Sequence, residues 1–200
     1  MLDVLTYIAD YSEADREQIS FAWNGKHAAD FQDLNQGFRW HVARQCIATP
    51  ESASPLLLEH LFLADAAWTR EAWGSPGHFA QLGAALLIRG QEAALVSFAK
   101  GFVCSFDTFG ACHELQLPKE LLVRLSLATA QELARATDDE HRKPLEAALE
   151  LFGKLEAGSA GQGWATVQPG APVAKIRVVW PRWYHTVWAK VSSLWSRNAN

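Results

Sequence analysis

Two hundred residues, 49% hydrophobic and 20% charged, are the length and make-up of one globular domain, or of a domain with an appendage. That composition argues against a disordered or collagenous chain, and three cysteines without a CxxC pair argue against a disulfide framework or a zinc ribbon. The formal net charge of -4 is unevenly spread: residues 1–156 hold 13 Lys and Arg against all 22 Asp and Glu, which is -9, while Lys175, Arg177, Arg182, Lys190 and Arg197 give the C-terminal end +5.

Leu2, Leu5 and Ile8, three apart, predict a short opening helix. Ser12-Glu-Ala-Asp then reads as an N-cap with carboxylates at the positive helix end, predicting a second helix to Trp23 that stops at Asn24-Gly25. From His27 to about Ile47, Phe31, Leu34, Phe38, Val42 and Cys46 recur at three- and four-residue steps, the signature of one amphipathic helix ended by Thr49-Pro50.

Ser54-Pro55 and Ser75-Pro76 repeat one signal, a hydroxyl cap before a proline at the first helical position. They predict helices over 55–73, closed by Gly74 and carrying Leu57, Leu61, Ala64 and Trp68 on one face, and over 76–89, closed by Gly90. The next helix begins near Gln91 and turns Leu95, Phe98, Phe102 and Phe106 inward, with Gly101 marking a place where another chain element packs close. A break at Asp107 precedes a short helix through Leu115. Pro118 opens a helix to about residue 136 with Leu121, Leu122, Leu125 and Leu133 apolar, and Thr137-Asp138-Asp139-Glu140 caps a last helix lined by Leu145, Leu149, Phe152 and Leu155. The Phe-, Leu- and Ala-rich stretch from Ser75 to Leu117 is expected at the core.

Helices joined by short links predict an all-α fold, either an irregular helical bundle or a short HEAT-like stack of antiparallel helix pairs. Three parts are expected: a helical body over 1–156, a Gly/Ala/Pro-rich linker over 157–174, and a basic Trp-rich C-terminal segment over 175–200. No basic n-region or cleavage site marks the N-terminus, and Arg89, Glu92 and Lys100 interrupt the longest apolar run, so a cytoplasmic, non-spanning protein is expected.

His113-Glu114 beside Cys112, with Asp107 nearby, is the one place where an acid/base or metal site is conceivable. It lacks the second His one turn on that would set two imidazoles on one metal. No phosphate loop, thiol-based nucleophile or cofactor signature is present, and no cofactor is expected. The expectation is therefore a non-enzymatic protein-binding module, of the immunity-protein or adaptor kind, that meets a partner with a basic surface through an acidic helical face. Trp68, Trp73, Trp183 and Trp188 are its candidate interaction residues, since Trp is enriched at binding anchors. Two alternatives stand beside it: a small enzyme or metal protein built on Asp107, His113 and Glu114, and peripheral membrane association through the C-terminal segment. Nucleic acid is not expected as a partner, because the body is strongly negative.

Overall fold

The computed structural model describes residues 3–158, which belong to the first of the chain's two units, Met1–Ala160. The expected basic segment over 175–200, with Trp183 and Trp188, lies outside the described residues, as does the linker from residue 159 onward. Eight α-helices make up the described part: α1 (Val4–Asp10), α2 (Gln36–Ala48), α3 (Pro55–Ala72), α4 (Phe79–Gly90), α5 (Leu95–Phe102), α6 (Phe106–Cys112), α7 (Lys119–Arg135) and α8 (Asp139–Glu156). No strand occurs among the described residues, and a single antiparallel bridge joins Trp23 to Asp33.

Local chemistry sets the helix starts. Asp3, Ser54, Ser105 and Asp138 each accept the amide three residues on with a side-chain oxygen, and Pro55 occupies the first position of α3 where no N–H is needed. Pro144 sits in the second turn of α8, so it removes one interior hydrogen bond from that helix. Helix α4 starts at Phe79, three residues after the proline expected to open it, and α3 ends at Ala72, one residue short of the expected 73, closed by Trp73 rather than by Gly74.

Helix α3 is the centre of a bundle: it packs against α2, α4, α5 and α6, while α5 rests on α8 and α8 on α7. A stack of pairs would restrict each helix to its neighbours in sequence, and α3 does not obey that restriction. Phe62 on α3 lies parallel to Phe79 and Phe98, with ring centroids 4.6 and 5.5 Å away, and the array continues through Phe102 to Phe109. Each such ring buried contributes roughly 1.5–3 kcal/mol. Gly101 admits this array because a Cβ there would stand 2.5 Å from Phe62 Cε1, so the close approach expected at that glycine is real. Phe79–Phe102 is apolar and long enough by composition to cross a membrane, and here folds as α4, a 3-10 turn and α5, with 56% of its most apolar window buried.

The largest departure from the periodic pattern lies before residue 36. The helix expected over 12–23 is a 3-10 segment, Glu13–Gln18, and the helix expected from His27 begins only at Gln36. Leu34, expected on its buried face, is 79% exposed, and Leu5 of α1 is likewise exposed. The capping at Ser12 is present, with Asp15 returning the bond, and Gly25 does adopt positive φ. What displaces the helix is a polar anchor at Asp33.

Candidate functional site

Arg39 has no exposed surface, and its guanidinium lies between two carboxylates that are also fully buried as side chains. Nη2 donates to Asp33 Oδ2 at 2.7 Å and Nε to Asp65 Oδ1 at 2.8 Å. Asp65 Oδ1 also accepts from Trp40 Nε1 at 3.1 Å, and Oδ2 is 2.8 Å from His78 Nε2. Asp33 Oδ1 takes the amides of Ala22 and Asn35, while the Asn35 side chain donates to the carbonyls of Glu17 and Ser20. The Asp33 and Asn35 bonds fix loop backbone that has no helical partner, and Arg39 joins them to Asp65, so the network ties the irregular segment 19–35 onto α2, α3 and the start of α4. Two carboxylates face one guanidinium, and His78 supplies the second cation when protonated.

Rings cover this network. Phe31 and Trp40 meet Trp68 edge-on at 6.1 and 5.1 Å, and Trp40 meets His78 at 5.7 Å. Trp68, a candidate interaction residue, is thus half-buried, with its Nε1 enclosed and without a hydrogen-bond acceptor. The network escaped sequence reasoning although two signals existed: Asp65 is a lone acid in an apolar helical run, and Arg39 shares a face with Val42, Ala43 and Cys46.

The opposite character appears where α3, α5 and α6 end or begin. Trp73, the second candidate, is 89% exposed and holds a left-handed conformation (φ 58°, ψ 45°), although Gly74 stands next to it. A non-glycine residue in this region costs on the order of 1–2 kcal/mol. Val103 and Phe109 are also exposed, as is Phe106 at 63%, against the expectation that Phe106 turns inward. The reason is Ser105, which caps a new helix two residues before the expected break and rotates Phe106 off the buried face of α5. The end of α3 reaches this turn: the charges of Arg70 and Glu71 both act on the Cys104 thiol, which burial nevertheless raises above its ordinary value.

Of the residues of the enzymatic alternative, Asp107 lies in the first turn of α6, His113 is its C-cap and Glu114 follows in the turn beyond. His113 closes α6 with Nδ1 bound to the Phe109 carbonyl at 2.8 Å and lies near Glu150 of α8. Asp107 and Glu114 are both raised from the usual carboxylate range by burial, Glu114 although the residue as a whole is exposed. Among the described residues no group of three His, Cys, Asp or Glu is placed to hold a metal ion. The chain matches no protein-family model, no curated protein and no solved structure.

Proposed function

We propose that this protein works by binding another protein, and that the exposed side chains of Trp73, at the end of α3, and of Val103, Phe106 and Phe109, at the α5–α6 turn and on α6, are its contact surface. The carrying observation is Trp73: a large ring left almost entirely in water, on backbone that a glycine would occupy at lower cost. Strained backbone persists where the surroundings over-determine it and clusters at functional positions, and exposed Trp is the residue type richest at binding anchors. The acidic excess of residues 1–156 supports a partner with a basic surface.

The test is affinity capture with the full chain beside its Trp73→Gly and Phe106→Ser variants, followed by titration of any captured protein against each. Selective loss of one partner with both variants, at unchanged helical content, supports the reading. Equal capture by all three forms contradicts it.

A further inference from the structure

Helix α7 is apolar on two opposite sides. Leu121, Leu122, Leu125 and Thr129 are buried, and among the described residues α7 packs on α8 and on the 3-10 turn Gln91–Ala94. The side turned away from these by the 3.6-residue period carries Val123, Leu127, Ala130 and Ala134, at steps of four, three and four. Val123 is 42% and Leu127 62% exposed, and both alanines are exposed. Its neighbour α8 shows what such a side becomes when it is left to water. Asp139, Lys143, Glu146 and Glu150 follow one another there at the same three steps, all exposed, with Lys143 paired to Asp139. Single exposed apolar residues need no explanation. Four in register with no charge among them form the seam of a helix pair, and Glu120, one position earlier on the same line, ends it.

We infer that α7 pairs with α7 of a second copy of this chain, antiparallel about a two-fold axis between positions 128 and 129. In that register Leu127 of each copy faces Ala130 of the other, and Val123 faces Ala134, so every layer sets a large side chain against a small one. Charge selects the same direction. Parallel pairing along such a seam brings a flanking residue against the one five further on in the other helix, here Lys119 against Arg124, twice per dimer. Antiparallel pairing sets Arg124 against the neutral Gln131 instead. A basic partner, which the acidic excess of residues 1–156 favours elsewhere, meets Lys119 and Arg124 beside this seam, so a second copy fits it better. The two-fold closes the assembly at a dimer. One helix per copy is a small interface, which suits a dissociation constant between about 1 µM and 1 mM. The pairing uses none of the residues of the contact surface proposed above.

The experiment measures the mass of the full chain by sedimentation equilibrium over that concentration range, beside Leu127→Glu and Val123→Lys, and beside Leu34→Glu as an exposed control elsewhere. The expected result is a reversible dimer of the full chain and of Leu34→Glu, weakened about tenfold or more by each α7 variant at unchanged helical content. Direction is read from mixing Leu127→Lys with Ala130→Glu chains, which antiparallel pairing sets face to face. The mixture should dimerise more strongly than either variant alone. A full chain that stays monomeric to about 1 mM, whatever else binds this face, overturns the inference. So does a dimer untouched by both α7 variants, growth beyond the dimer, or no gain on mixing.

Discussion

Arg39 and Asp65, 26 positions apart, meet at 2.8 Å with neither side chain exposed to solvent. This pair, with Asp33 on the other side of the guanidinium, holds a loop of irregular backbone on a helical bundle. Arg39→Met would leave two buried carboxylates without their guanidinium. A loss of about 3–5 kcal/mol in urea denaturation is expected, with faster amide exchange across residues 19–35. A loss under about 1 kcal/mol would show that the network is incidental to stability.

Gly101 and Gly153 make a matched comparison. At Gly101 a methyl would press on Phe62, itself held between two parallel rings, so Gly101→Ala should cost about 1–3 kcal/mol. At Gly153, inside α8, the added carbon meets nothing within 4 Å, and Gly153→Ala should stabilise by about 0.5–1 kcal/mol. Thermal melts of the two variants should shift in opposite directions.

Acid should loosen the N-terminal segment. His60 Nδ1 takes the Tyr11 hydroxyl at 2.6 Å, and Nε2 faces Glu13 at 3.4 Å, an arrangement that suits the neutral imidazole with its proton on Nε2. Burial, then the Arg16 charge, lower its pKa below the ordinary 6.5, outweighing Glu13 and Glu59. The folded state therefore resists a proton that the unfolded chain accepts, so the stability from this group is present above about pH 6.5 and lost as pH falls through the lower folded value. Melting temperature against pH should decline on the acid side, and His60→Gln should flatten that decline. An unchanged slope would remove His60 as its source.

Thiol reactivity should rank by burial. Burial pushes Cys46 up to about 12 and raises Cys112, and both side chains are enclosed, whereas Cys104 is only half-buried. A disulfide reagent added to the native protein should modify Cys104 first, and Cys104→Ser should leave almost no reaction before unfolding. Rapid modification of Cys112 would mean that α6 opens readily.

Trp73→Gly should not destabilise the fold. The ring contacts little, and glycine accepts φ 58° without steric cost, so a gain of about 1 kcal/mol is expected in denaturant titration. A loss of similar size would mean that Trp73 is a structural residue rather than a contact held out for a partner.

The helices from Pro55 onward were legible because capping and 3.6-residue spacing agreed there, as at Ser54-Pro55 and at Leu121, Leu122 and Leu125, all of them buried. Before residue 36 the same spacing misled. Phe31 and Leu34 fit a helical face, but Asp33 is worth more as a buried acceptor for Arg39 and two amides than as a helix residue, and that exchange depends on contacts far apart in sequence. Phe106 failed for a local reason, since a serine cap restarted the helix and changed its face. Of the candidate residues, Trp73 is exposed whereas Trp68 is half-buried among rings, a distinction that composition does not carry.

The central claim is that the exposed end at Trp73 and Phe106 meets a protein. It is tested most directly by placing a photoreactive phenylalanine analogue at position 73 or 106 of the full chain in its native cell, with Leu34 and Leu5, equally exposed apolar positions elsewhere, as controls. The account predicts one discrete crosslinked species from positions 73 and 106 and none from 34 or 5. Crosslinks of the same pattern from all four positions, or from 34 and 5 alone, would contradict it.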